Sequence, residues 1–513
     1  MDAFESKIYP TDREFFGSEW TPGVDNDPHV YVLYVRGVGR SNGGFFSTPD
    51  EYNPKVFKYS NGHELFVFNA DAEPLGDPYT YGTLAHEFQH MIHWNLDRNE
   101  VTWMNEGFSE VASLLNGYGV GSLDYMYAQN PDLPLTEWTS LANDPAVTGA
   151  HYGEAFLFLT YFLDRFGDKV TQAVVKNPEN SLTSLDDTLK SLNVTDPQTG
   201  KPVTADDVVM DWMATMYLQN GSVGDGRYVY HNYRDAPTVS LTDHIDTCPR
   251  SPLQASVNQY GADYIAINCS GDYTLTFTGS TVTPILSTDP HSGKYMFWGN
   301  KNDQSDTKLT RSFDFTGVSG PIDFSYWTWY DLEKGFDYAY LEASTDGQHW
   351  EIIKTPSCTT KDESGNSYGC GYNNQSGGGQ DPKWINEHAD LSPYAGKQVQ
   401  LRFEYVTDAE VLGEGLLLDD LSIPAIQYSS DFESDDGGWH AEGFARIDNQ
   451  LPQTFRIELI MQDGKTTVQN VTVSADQTAQ VPLSIGNSEK AVLIVTGTQR
   501  FSYLPAAYTV EVK

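Results

Sequence analysis

His86-Glu87-Phe88-Gln89-His90 decides how this chain is read. The five residues lie within Gly82 to Trp94 (GTLAHEFQHMIHW), where Leu84, Phe88, Met91 and Ile92 recur at helical spacing. Positions i and i+4 of a helix lie one above the other, so the imidazoles of His86 and His90 can reach one ion. Glu87 then points to the open side of that ion. A carboxylate there can take a proton from a metal-bound water and pass it to a leaving amine. The bland alternative is a pair of satisfied core histidines, so the neighbouring residues must be weighed.

Trp103-Met104-Asn105-Glu106-Gly107-Phe108-Ser109-Glu110 opens the next predicted helix, Val101 to Leu115. Glu106 follows His90 by 16 residues, enough for a helix end, a turn and a return. As a third ligand it would complete a His2Glu set with the fourth position open, the arrangement of catalytic zinc. Glu110, one turn later on the same face, can accept the distal N–H of a ligand histidine and fix its tautomer. Tyr152 stands at the start of a third predicted helix, Tyr152 to Phe166, and its phenol could hydrogen-bond a tetrahedral oxyanion. Simple packing explains Tyr152 equally well, and His151 could serve in its place. Glu154 reads as a charge favoured by a helix N-terminus. His93 is an alternative third ligand to Glu106.

HEFQH followed by WMNEGFSE resembles the gluzincin clan of zinc metallopeptidases, and HEFQHMI with the YGEAFLFLTYF helix is similar to hyicolysin-like secreted proteases. The segments SDTKLTRSFDF, WTWYD and LLLDDLSI resemble the MAM-like jelly roll of immune-inhibitor-A-like secreted proteases. The resemblance implies that His86, His90 and Glu106 bind zinc, that Glu87 is the general base, that Glu110 supports a ligand and that Tyr152 stabilises the transition state. No GxMEN-type segment is present, so the anchor that exopeptidases of this clan use is missing and endopeptidase action is expected. His93 and Leu96 stand where the metzincin motif requires Gly and His. In the jelly roll, Asp306, Asp331, Asp337, Asp419 and Asp420 are candidate calcium ligands, and Asp25-Asn26-Asp27 clusters further hard oxygens on a turn. Solvated surface aspartates are the competing reading in a chain this acidic.

Further out, the texture divides the chain. Residues 1–245 mix strand patterns (His29 to Arg36, Glu64 to Asn69) with helices, the last at Asp206 to Gln219, and read as an α+β zincin-like catalytic domain. Glu64 to Asn69 could be an edge strand that pairs with an extended substrate, or an interior strand. From about residue 250, short strands alternate with Gly, Asp, Asn and Ser turns, as in β-sandwiches. The expected division is a β segment at 246–285, a jelly roll at 286–426 and a C-terminal sandwich at 427–513. In one arrangement the first and last of these build a single sandwich around the jelly roll. No nucleophile–base set occurs in the β half, which is assigned to docking, attachment or stabilisation.

With 513 residues the chain is too long for one core. Its 71 acidic against 31 basic residues give a net charge of −40, which repels phosphate backbones and anionic lipid, so nucleic-acid and membrane-surface partners are not expected. No stretch is long and apolar enough to span a bilayer. Cys248 with Cys269, and Cys358 with Cys370, are read as two local disulfides of an extracellular protein; four reduced thiols are the alternative. Met1-Asp2-Ala3-Phe4 shows no leader pattern, so the expectation is either a leader already removed, with or without a pro-segment, or a cytosolic protein. The expectation is a secreted, monomeric, zinc-dependent endopeptidase acting on protein or peptide substrates, with calcium as a second candidate ion. The rival readings are an exopeptidase and an adhesion protein with a lapsed peptidase domain.

Overall fold

The computed structural model describes residues 2–39, 43–138, 145–362, 364–379, 381–408, 411–487 and 489–513. They form two compact units, one of residues 1–283 with 452–513 and one of residues 284–451. Helices and sheets mix in the first part of the chain, and the rest is all β.

In the first unit an N-terminal helix α1 (Tyr9–Phe15) precedes a three-stranded sheet of β1 (Tyr31–Val35), β2 (Gly44–Phe46) and β3 (Leu65–Asn69). Every residue of β3 is buried, which explains its unbroken apolar run. It is the central strand, parallel to β1 and antiparallel to β2. The substrate-edge reading of 64–69 is therefore corrected: β3 has no free edge, and the strand at the sheet border beside the motif helix is β2, which the sequence reading passed over.

Among the described residues seven helices follow: α2 (Pro78–Leu96), α3 (Thr102–Leu115), α4 (Leu123–Gln129), α5 (Pro145–Phe166), α6 (Asp168–Val174), α7 (Ser181–Ser191) and α8 (Ala205–Leu218). Asp77 caps α2 by accepting from the Tyr79 N–H at 2.9 Å, and Pro78 sits at the first helical position, where a missing N–H costs nothing. The buried face of α2, with Leu84, Phe88, Met91 and Ile92, joins one core with Phe108 and Val111 of α3 and Phe156 and Leu159 of α5. Two glycines permit the close approach. A Cβ on Gly107 would stand 2.7 Å from Leu159 Cδ1, and one on Gly153 only 2.0 Å from the Leu123 carbonyl oxygen. Helix α5 begins at residue 145, so Tyr152 lies inside it and not at its start. Glu154 is likewise mid-helix and fully buried, which corrects its reading as a terminal charge.

The first unit also contains a β-sandwich drawn from two distant stretches of chain. One sheet runs in the order Lys465–Val471, Phe455–Asp463, Lys490–Gly497, Asp263–Ile267 and Asp243–Ile245; the other is Thr478–Ile485, Gly271–Gly279, Ala506–Val512 and Leu253–Val257. Helix α8 packs on the strand Phe455–Asp463, and Arg456 Nη1 donates to Asp207 Oδ1 at 2.6 Å. The Cys248–Cys269 disulfide closes within this sandwich.

In the second unit, strands Glu351–Ile352, Tyr338–Ser344, Gln398–Val406, Asp306–Asp314 and His440–Glu442 form one sheet. Ile385–Asp390, Asp323–Asp331, Gly415–Ile423, Met296–Trp298 and Ala445–Ile447 form the other, with Tyr428–Ser430 paired to Gly415–Ile423. Inward residues such as Leu309, Phe324, Leu341, Phe403 and Leu418 make its core. The expected boundary at 427 is thus displaced: the strands at 428–447 pair with this unit. The second disulfide, Cys358–Cys370, lies here.

Candidate metal centre

His86 and His90 stand one turn apart on α2, and their Nε2 atoms are 3.0 Å from each other. Glu106 on α3 brings Oε2 to 3.1 Å from His86 Nε2 and 3.4 Å from His90 Nε2. Each Nδ1 faces an acceptor. His86 Nδ1 lies 3.3 Å from Glu110 Oε1, and His90 Nδ1 lies 2.6 Å from Asn105 Oδ1. With both Nδ1 atoms committed as donors, each Nε2 presents a lone pair. Glu106 Oε2 is itself buried without a hydrogen bond. Two lone pairs and a carboxylate oxygen at these separations repel one another unless a proton or a cation lies between them. Ligand atoms bound tetrahedrally to zinc at about 2.0–2.1 Å stand about 3.3 Å apart, so the donor set fits that ion.

Glu87 is buried beside the histidines, and its Oε2 accepts the Phe46 N–H of β2 at 2.8 Å. Burial raises its carboxyl above the usual carboxylate range, against the pull of His86 and His90. The Tyr152 ring lies 6.3 Å from the His86 ring and 5.1 Å from the Trp138 ring. Burial, with Glu106, Glu110 and Glu87 nearby, pushes its hydroxyl well up, so it stays protonated as a donor.

The structure therefore brings His86, Glu87, His90, Glu106, Glu110 and Tyr152 to one place. It adds Asn105, to which the sequence alone gives no role, and Ser109, whose Oγ is 3.1 Å from His90 Nδ1. His93 is not part of this group; it is buried on α2, with its ring 5.9 Å from the Phe108 ring of α3 in a T-shaped contact. His151 is buried with Nδ1 3.6 Å from Glu154 Oε2, and burial holds its pKa down to about 4.

The calcium candidates separate. Asp306 pairs with Lys308, Asp331 accepts from Gln375 Nε2 at 3.0 Å, and Asp420 accepts from Ser292 Oγ at 2.9 Å with His291 Nδ1 at 2.6 Å. Asp419 accepts the Ser292 N–H at 3.0 Å. Among the described residues only Asp337 joins a group of three possible ligands, with Glu333 and Asp408. Asp25 and Asp27 are taken up by His63 and His29.

Comparison with known proteins points to metalloproteases. Residues 275–449 match the family model described as immune inhibitor A-like, MAM domain. The chain is similar to several bacterial metalloproteases. It is 26% identical over 222 residues to neutral metalloprotease ShpI of Staphylococcus hyicus, covering 37% of this chain and 47% of that protein. It is 32% identical over 149 residues to immune inhibitor A of Bacillus thuringiensis subsp. alesti, covering 28% of this chain and 20% of that protein. With pre-pro-metalloprotease PrtV of Vibrio cholerae the identity is 29% over 140 residues, covering 26% and 13%. The chain thus spans less than half the length of each of these metalloprotease relatives.

Proposed function

We propose that this metalloprotease relative is a secreted zinc-dependent endopeptidase with a zincin-like catalytic domain. The reading is carried by the convergence of His86 Nε2, His90 Nε2 and Glu106 Oε2, with both Nδ1 atoms already partnered and Glu87 alongside. Zinc held there would acidify and orient a water and polarise the scissile carbonyl.

The chain's own residues do the rest. Glu110 and Asn105 hold the two rings in the tautomer that frees Nε2. Glu87 takes the proton of the attacking water on its carboxylate and delivers it to the departing nitrogen. The Phe46 N–H keeps that carboxylate in place, and its raised proton affinity suits a group that must both gain and release a proton near neutral pH. The Tyr152 hydroxyl donates toward the oxyanion. Strand β2 borders the sheet beside α2, and an extended peptide laid along it would gain main-chain hydrogen bonds. The two disulfides suit an oxidising, extracellular setting, and protein substrates follow from the chemistry. The second unit would serve docking or attachment.

Digestion of casein, with and without a zinc chelator, tests the reading. Cleavage abolished by chelation, with cut sites inside the chain, is expected. Trimming from the ends alone would favour an exopeptidase, and chelator-resistant or absent cleavage would remove the peptidase reading.

A further inference from the structure

A second group of ionisable side chains is shut away where α2 ends and α3 begins. His93 is 1% exposed, Asp97 7% and Glu100 8%. One ligand atom from each, an imidazole nitrogen and two carboxylate oxygens, lie within 4.8 Å of one another. An ion at their centre is within about 2.8 Å of all three, a small side-chain adjustment from the roughly 2.0–2.2 Å bonds that imidazole and carboxylate make to zinc.

Among the described residues the two carboxyl groups here have no basic partner. Asp97 Oδ2 is buried without a hydrogen bond, and Oδ1 has only the Asn99 N–H at 3.4 Å. Glu100 uses Oε1 for the Val101 and Ser181 N–H groups, at 2.8 and 2.9 Å. Arg98, between them in sequence, lies over the Trp94 ring at 4.2 Å. Among the described residues no lysine or arginine forms an ion pair with Asp97 or Glu100. Asp97 also caps the C-terminus of α2, where the helix dipole already favours a cation. A buried, unpaired carboxylate such as Asp97 at a negative helix end is costly unless a proton or a cation joins it. His93 is free to take part: its nearest polar contact, Gln89 Nε2 at 3.5 Å from Nδ1, is too long to fix a tautomer.

We propose that His93, Asp97 and Glu100 form a second metal site, which takes a divalent transition ion of the zinc class and ties the end of α2 to the start of α3. The imidazole selects against calcium, which takes oxygen ligands, and the mixed nitrogen and oxygen set suits zinc. The site stands independently of the function proposed for His86, His90 and Glu106, but it fastens together the two helices that carry them.

The test is metal stoichiometry on the full chain. Protein stripped by chelation is titrated with Zn2+ in excess calcium, which occupies exposed carboxylates, and the bound zinc is measured after gel filtration. The wild type should hold two equivalents. The double variant Asp97→Asn with Glu100→Gln should hold one, and His86→Ala should also hold one. On the His86→Ala background, Zn2+ should raise the melting temperature, and adding the double substitution should abolish that rise. One equivalent in the wild type, two in the double variant or none in His86→Ala would overturn the proposal. If the double variant does not fold, His86→Ala decides alone: one equivalent with a zinc-dependent melting shift supports the site, and none refutes it. Loss of proteolysis in His86→Ala speaks only to the first site.

Discussion

The backbone N–H of Phe46 and the side chain of Glu87 are joined by a hydrogen bond of 2.8 Å, from β2 to α2. It ties the border strand of the sheet to the carboxylate assigned as the base. In the function proposed above, the strand that would align a peptide would thus also fix the group that would move its proton.

Glu87→Gln should abolish turnover and spare metal binding. The amide keeps the shape and can still face Phe46, but it cannot take a proton. We expect a fall in kcat of about 10²–10⁴, the usual contribution of a general base, with zinc content unchanged. Rate assays beside metal analysis decide it, and near-normal activity would remove Glu87 from its role.

Asn105→Ala should weaken zinc binding by roughly 10–100-fold, since His90 loses the acceptor that orients its ring. Ser109 Oγ, 3.1 Å from the same nitrogen, softens the loss. Asn105→Asp should restore affinity to the wild-type level or above, because a charged acceptor holds the Nδ1 proton more strongly. Competition with a chromogenic chelator reads both variants. Equal affinity in the alanine variant and the wild type would contradict the assignment.

The motif helix and its partners were legible because their chemistry is local. Helical spacing places His86 and His90 together, and the run to Glu106 is short enough to infer a returning helix. Asn105 was unreadable as a partner of His90, because an amide one residue before a ligand carries no signature until the crossing of α2 and α3 is fixed. β2 is three residues long, and its pairing with β3 is a tertiary fact. The sequence puts Tyr152 at the start of a helix. The backbone instead runs through, since Gly153 is there to let α5 pass the α4 carbonyl of Leu123. In the β half, alternation located strands such as Gln398–Val406 well, while the membership of 428–447 depended on long-range pairing.

Tyr152→Phe should lower kcat by about 10-fold or more and leave KM within about twofold, because the ring contact with Trp138 survives and only the donor is lost. Steady-state kinetics on an internally quenched peptide separates the two parameters. A change confined to KM would make Tyr152 a substrate-packing residue and not an oxyanion donor.

Glu51 gives the fold a pH dependence of its own. Glu51 and Glu64 are both buried, and Glu51 has neither carboxylate oxygen hydrogen-bonded. Burial first, then the neighbouring charge of Glu64, pushes the Glu51 carboxyl up to about 9. The folded state therefore keeps a proton that the unfolded state releases near its ordinary value of 4.5. Stability rises with pH only where the unfolded state binds more protons; here it binds fewer, so stability falls as pH climbs from about 4.5 to about 9. Glu51→Gln removes the titration and keeps the volume. It should be close to neutral at pH 5 and stabilising by roughly 2 kcal/mol at pH 8, once relaxation and water entry have trimmed the full linkage value. Denaturant unfolding of both proteins at the two pH values checks this. Parallel loss of stability in wild type and variant would place the pH dependence elsewhere in the molecule.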